Sequence, residues 1–400
     1  MLNKNNLFNN FFLKKEINID LQKTKKIFLS LKSDLNNFYI PMLHSFEKDY
    51  ELDFSKNTIK KFSKFKNIVI IGMGGSILGT RSIYSFFKKK IKKNVFFFDN
   101  LDSSQHLKFK KIKNIKSSCF VIVSKSGNTL ETVANLSIIF SKNLLKNKLI
   151  LITEIKDNIL MDIAAQYNAE VIEHKEYIGG RYSVLSETGM FPAALMGLQV
   201  DKFKNLKKLI ENKNFVSTLI QNVASIYALS KKGKNNSVIL SYDSSVNDLG
   251  YWYQQLIGES LGKDGKGITP MISFGPKDHH SLLQLYLDGP KDKFFTFFTS
   301  SKNEFNLNVK NAAVSKNMNF LKKKNLHSIS KAQSNAVKKI FKLKKIPFRQ
   351  IVINKKNEEE LGSIFTFFVL ETILLSKLFK VNPFDQPAVE QVKLETRKFF

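Results

Sequence analysis

Cysteine occurs once in these 400 residues, at Cys119 inside an apolar run. A single thiol excludes an internal disulfide, reads as a small packed hydrophobe, and fits a reducing compartment. Long apolar runs are scarce as well. The best stretch, residues 364–379, is short for a bilayer span and carries Glu371 and Lys377, so it reads as a buried helix. The opening segment MLNKNNLFNNFFLKKE lacks an apolar core and a small-residue cleavage site, so no leader is expected and the protein is placed in the cytoplasm. Acid is the third scarcity: 34 acidic residues face 64 basic ones, a formal net charge of +30. Such a charge can serve nucleic acid. Here the lysines are scattered or in short runs such as 88–90 and 322–324, with no zinc spacing and no RNA-recognition signature. The charge is therefore read as a bias toward Lys, Asn, Ile and Phe that favours anionic small substrates, and neither nucleic-acid nor membrane partners are expected.

What is present is a chain with 43% hydrophobic residues, long enough for two cores. Residues 1–60 are polar, with Phe28, Leu31, Leu35 and Phe38 at helical spacing, which predicts helices packed on the outside of a first domain. NIVII (67–71) reads as a strand buried on both faces and runs into GMGGSILG (72–79). Glycines after a strand allow close approach of a ligand to backbone N–H groups at a helix start, or simply make a tight turn. CFVIV (119–123) is a second such strand, opening onto SKSGNTLET (124–132). Its hydroxyls at 124, 126, 129 and 132, with Asn128 and Lys125, have the chemistry of a phosphate cradle at a helix start; helix capping alone needs one such residue. Residues 149–153 form a third strand. GGRYSVLSETG (179–189) follows, with Arg181 either a fixed charge in a site or half of a structural ion pair.

The order strand, turn, helix then restarts at NSVILS (236–241), FFTFFT (294–299) and RQIVIN (349–354). The prediction is an α/β protein with two doubly wound, mainly parallel domains and helical ends. The expected boundaries are residues 1–60, 61–205, 206–381 and 382–400. In the second half, residues 254–290 concentrate proton-transfer chemistry. Glu259 precedes glycines at 262, 265 and 267, and His279 and His280 follow about twenty residues later. The bland alternative makes Glu259 a capping or ion-paired residue near Lys263. No His, Asp or Glu set has convincing metal-ligand spacing, and no cofactor is expected.

Five segments in order, GMGGSILG, SKSGNTLET, GGRYSVLSETG, the block QQLIGES…HHSLLQ…DGP, and NPFDQPAVEQVK, make the chain resemble the glucose-6-phosphate isomerase family. The resemblance spans residues 67–394. It implies two sugar-isomerase domains and a homodimer in which a histidine reaches the partner's site. It also implies roles: Glu259 as the base moving a proton between C2 and C1, Arg181 stabilising the enediolate, and His280 opening the ring with help from Lys393. Ser124, Lys125, Ser126, Asn128 and Thr132 would hold the phosphate, and Gly74, Gly75 and Ser76 would line the sugar pocket. SKSGNT stands where many relatives have an SKTFTT-type loop, and resembles the loop of dual-specificity phosphoglucose/phosphomannose isomerases. Two alternatives follow: that dual specificity, or a non-catalytic sugar-phosphate-binding regulator.

Overall fold

The computed structural model describes residues 6–9, 14–112, 114–139, 147–302, 307–310 and 314–400. The chain forms two compact units. One comprises Leu31–Leu209 and Asn357–Val369, the other Met1–Ser30, Ile210–Lys356 and Leu370–Phe400.

The first unit is built on five strands: β1 (Asn67–Gly72), β2 (Asn94–Phe98), β3 (Ser118–Val123), β4 (Leu149–Thr153) and β5 (Glu170–Glu173). They lie in the order β2-β1-β3-β4-β5, every pairing parallel. Every residue of β1, β3 and β4 is buried, as uninterrupted Ile/Val/Leu runs require when helices cover both faces of a sheet. On one face Val69, Phe120, Ile122 and Leu151 pack against Leu136 and Leu160 from the covering helices. The strand order reverses between β1 and β3, and Gly72 at the end of β1 lies opposite Val123 at the end of β3. In open α/β sheets the crevice beyond such a reversal is where ligands bind.

The second unit carries β6 (Asn236–Ser241), β7 (Thr269–Phe274), β8 (Lys293–Ser300) and β9 (Phe348–Ile353) in the order β7-β6-β8-β9, again all parallel. This repeats the first four places of the other sheet, with its reversal between β6 and β8. The α/β architecture predicted from the sequence is the one observed. The strands missing from the sequence reading are β2, β5 and β7, and all three are sheet edges. Their residues are mostly half-buried, so they lack the continuous apolar run that marks a central strand.

The N-terminal segment departs from expectation. The helix Lys14–Asn36 starts in the second unit, where Asp20 pairs with Lys231 at 2.7 Å and Glu16 with Lys232 at 3.0 Å. Only from Leu31 onward does the chain belong with the first sheet. Phe28 and Leu31 are buried as the spacing predicts, but Phe38 lies beyond the helix, exposed and with a left-handed backbone.

The helix Glu358–Phe379 is long and apolar enough to cross a membrane by length and composition, yet 89% of its most apolar stretch is buried within the protein. It is a core helix, and its Glu371 meets Arg349 of β9 with both side chains fully buried. Arg349 Nη2 donates to Glu371 Oε1 at 2.8 Å, Nη1 donates to Oε2, and Nε donates to Thr296 Oγ1 at 2.9 Å. A bidentate pair satisfied this fully offsets much of its own desolvation, but leaving one member behind is costly. Arg349→Met is therefore expected to lower the unfolding free energy by about 3–5 kcal/mol, and Arg349→Met/Glu371→Leu to recover most of that loss. Urea denaturation of the two variants beside the parent checks this; a single variant as stable as the parent would show that the pair does not anchor the core.

Candidate active site

The glycine loop and the hydroxyl loop leave adjacent strands at the reversal of the first sheet. Gly74 has φ +52 and caps the helix Gly75–Phe87, a backbone conformation that suits glycine. Gly75 is dictated by its neighbour: a Cβ there would sit 2.1 Å from the Gly180 carbonyl carbon and 2.6 Å from Arg181 N. The loop 74–76 and the turn Gly180–Leu185 are thus pressed backbone to backbone. Ser183 Oγ donates to the carbonyls of Gly180 at 2.8 Å and Gly75 at 3.4 Å. Arg181 is buried, its guanidinium 5.2 Å from the centre of the Tyr182 ring. Farther along the same segment, Glu187 is wholly buried and accepts from Tyr50 Oη at 3.0 Å and from Asp53 N at 3.2 Å. Burial raises its carboxyl above the usual range and pushes the neighbouring Lys204 ammonium down to about 8. Glu187 anchors the segment that presents Arg181.

In the loop after β3, Ser124 is buried and its hydroxyl lies 2.8 Å from that of Thr129, closing the loop on itself. Ser126 is exposed and accepts from Asn128 N at 3.3 Å. Thr132, in the first turn of the helix Leu130–Ile139, is buried with a hydroxyl that has no hydrogen-bond partner among the described residues. Two members point elsewhere. Asn128 Oδ1 accepts from Ile159 N at 3.0 Å, capping the next helix, and Lys125 Nζ donates to the Glu176 carbonyl at 2.6 Å, 3.7 Å from Glu154. Ser124 and Ser126 thus precede and Thr132 opens one helix, whereas the side chains of Lys125 and Asn128 are turned to Glu154, the Glu176 carbonyl and Ile159 N.

In the second unit, Glu259 sits near the end of the helix Asn247–Leu261, half-buried on the wall of a cavity of about 620 Å³. Gln255, one turn earlier, donates to Glu259 Oε1 at 2.9 Å. The facing wall comes from the C-terminal segment, with Asn382, Asp385, Gln386 and Val389. Lys263 pairs with Asp385 at 2.7 Å and donates to the Asn382 carbonyl, which fastens that segment to the glycine loop. Lys393 does not line this cavity; on the exposed face of the helix Pro387–Arg397 its ammonium pairs with Glu390 at 2.6 Å.

The two histidines occupy the short turn Lys277–His280 after β7. Asp278 fixes this turn, its Oδ2 accepting from Phe274 N at 2.7 Å and from Ser273 Oγ at 2.9 Å. His279 Nε2 is 2.6 Å from the Tyr242 hydroxyl, and burial, with the charge of His280, lowers its pKa. His280 is exposed. Sequence reasoning missed Gln255, Asp278 and Tyr242. The spacing of four between Gln255 and Glu259 was a usable signal; Tyr242 had none, because it comes from a different strand. Among the described residues no group of three or more His, Cys, Asp or Glu side chains could hold a metal ion.

The chain is similar to known proteins over most of its length. The family model described as phosphoglucose isomerase matches residues 48–398. A glucose-6-phosphate isomerase of Methanocaldococcus jannaschii is 33% identical over 377 residues, covering 90% of this chain and 92% of that protein. One from Mycoplasmopsis pulmonis is 30% identical, covering 86% and 87%. Among solved structures, a hypothetical protein from Thermus thermophilus superposes with a TM-score of 0.85 at 22% identity over 98% of both chains. A glucose-6-phosphate isomerase from Chlamydia trachomatis superposes at 0.73 and 19% identity, over 90% of this chain and 77% of that one. At those identities the two structures share the fold.

The hydroxyl loop rests on a titratable group. His174, just after β5, is buried beside Lys125 and Glu154, and burial lowers its pKa from the ordinary 6.5 to about 4. In the unfolded chain the imidazole takes up a proton near its ordinary value, so between the two values the unfolded state binds the extra proton and stability falls as pH falls. The loss approaches about 3 kcal/mol at pH 4. Chemical denaturation at pH 7 and at pH 4.5 is expected to show a smaller difference for His174→Asn than for the parent; an equal difference would clear His174 of the acid sensitivity.

Proposed function

Because the chain belongs to the phosphoglucose isomerase family, we propose that it interconverts glucose 6-phosphate and fructose 6-phosphate by proton transfer between C2 and C1, with a place in glycolysis and gluconeogenesis. The observation that carries the assignment of the base is the position of Glu259. Its carboxylate is half-buried on a cavity wall and oriented by Gln255, while Lys263, the cation nearest in sequence, is turned to Asp385 and the Asn382 carbonyl.

In this reading Glu259 removes the C2 proton of the open-chain aldose, and the C–H electrons pass into the C1–C2 bond as charge gathers on the C1 oxygen. The O2 hydroxyl proton of the resulting cis-enediolate moves to O1, the charge passes to O2, and the C2 carbonyl forms as the same carboxylic acid returns its proton to C1. Arg181, held by its buried turn, stabilises the oxyanion. His280 assists the opening of the sugar ring, supported by Lys393. The phosphate is held at the start of the helix Leu130–Ile139, where the buried Thr132 hydroxyl offers a donor that has no protein acceptor among the described residues. These side chains supply each proton and charge the isomerisation requires, without a cofactor or a metal. Exposure of His280, next to a His279 held by Tyr242, supports a homodimer in which His280 serves the partner's site.

Glu259→Gln keeps shape but cannot carry the proton. Turnover in a coupled assay with glucose 6-phosphate is expected to fall at least about a hundredfold. Binding of a sugar-phosphate inhibitor is expected to survive, and near-normal turnover would remove Glu259 from the mechanism. Refolding Glu259→Gln chains together with His280→Asn chains tests the shared site. A mixed dimer keeps one complete site, so about a quarter of the parent activity returns if His280 acts across a two-fold axis. Two inactive variants that stay inactive when mixed would place the histidine in its own chain's site or outside the reaction.

A further inference from the structure

The reversal in the second sheet, between β6 and β8, has its own crevice, and none of the residues proposed above for the isomerisation lines it. A cavity of about 230 Å³ lies beyond the ends of the strands, bounded by Tyr242 after β6, Ser300 and Ser301 at and after the end of β8, and Gln350 on β9. One stripe of the helix Leu326–Leu343 forms its wall: His327, Ser330, Lys331, Ser334, Asn335 and Lys338, at the spacing that keeps residues on one face. A stripe turned toward a sheet is ordinarily apolar, and the C-terminal half of this helix obeys, with Val337 and Phe341 in the core. Toward the strand ends the stripe becomes basic and hydroxylic.

That polarity is not used up within the protein. Ser334 is 1% exposed, and its hydroxyl has no hydrogen-bond partner among the described residues. A buried polar atom left this way is destabilising unless something else satisfies it. Lys338 is half-buried and donates to Gln350 Oε1 at 2.9 Å, and Gln350 in turn donates to Thr299 Oγ1 at 2.8 Å. Burial and the charges of Lys331 and Lys342 lower the pKa of Lys338, a crowding of like charge that an anion would relieve. The nearby carboxylate, Asp243, does not line the cavity; it accepts from Ser245 and Ser300 and pairs with Lys356 at 3.0 Å.

We propose that this crevice is a second anion site, for a phosphate group carrying a short polyol. The cavity is small, which suits a compact phosphorylated compound. Lys331 and Lys338 supply the charge, Ser334 the buried donor, and Ser301 and Ser330 contacts for hydroxyls.

Calorimetric titration of the full chain with inorganic phosphate tests the site, with Lys331→Gln/Lys338→Gln, Ser330→Asp and Ser126→Asp beside the parent. Two saturable sites are expected in the parent. Lys331→Gln/Lys338→Gln and Ser330→Asp should each lose one of them while the KM for glucose 6-phosphate stays within about twofold, because these residues stand outside the proposed reaction. Ser126→Asp should lose the other. A single parental site lost only in Ser126→Asp overturns the proposal and leaves the isomerase reading intact. A single site lost only in the lysine and Ser330 variants upholds the proposal and removes the phosphate cradle. Binding that does not saturate, or that survives every variant, overturns it as adventitious attraction to a chain of net charge +30.

Discussion

The contact between Gly75 and Gly180 governs the loops at the reversal of the first sheet. A methyl group at Gly75 would collide with the Gly180–Arg181 backbone, so the absence of a side chain lets the loop leaving β1 lie directly on the turn that carries Arg181. Everything around it enforces that approach. Gly79 leaves room for Val184 one helical turn on, Thr80 Oγ1 donates to the Thr188 carbonyl at 3.1 Å, and buried Glu187 ties the far end of the segment to Tyr50 and Asp53. Two stretches separated by about a hundred residues pack backbone to backbone because Gly75 has no side chain to hold them apart.

The central strands were legible in the sequence because burial on both faces demands unbroken apolar runs, and NIVII, CFVIV and LILIT supply them. The edge strands β2, β5 and β7 were not, whereas β9, also at an edge, was read from RQIVIN. In β5 the sequence EVIE, and in β7 a proline at position 270, carry features that a central strand would not accept but that an edge tolerates. Residues that follow central strands or close a helix were readable as candidates by position: Gly74, Ser124 and Thr132 lie in loops or helix starts after central strands, and Glu259 near a helix end on a cavity wall. Where the reading went too far was in counting side chains by type. Lys125 and Asn128 have the right chemistry for an anion, yet they are drawn to Glu154, the Glu176 carbonyl and the next helix by partners remote in sequence. The direction of a side chain depends on tertiary neighbours that no local pattern encodes.

Hydrogen bonds orient several groups of the second unit. Gln255 turns Glu259, Tyr242 holds His279, and the backbone N–H of Phe274 with Ser273 Oγ captures Asp278. An amide beside a carboxylate fixes its rotamer through a directional hydrogen bond. Lys263, four residues on from Glu259, tethers the C-terminal segment.

The helix Glu358–Phe379 gives residues to both units, and the first-sheet unit is incomplete without Asn357–Val369. That segment is fitted closely: a Cβ on Gly362 would lie 2.0 Å from the Phe203 carbonyl oxygen, and Glu358 pairs with Lys90 and accepts from Gln199 N. During synthesis on the ribosome the rest of that unit is finished once residue 209 has emerged, but its last piece comes roughly 160 residues later. At roughly 5–20 residues per second this is a wait of about ten to thirty seconds. Over that interval the nascent first unit lacks this segment, which forces its final closure to follow, rather than precede, translation of the second sheet.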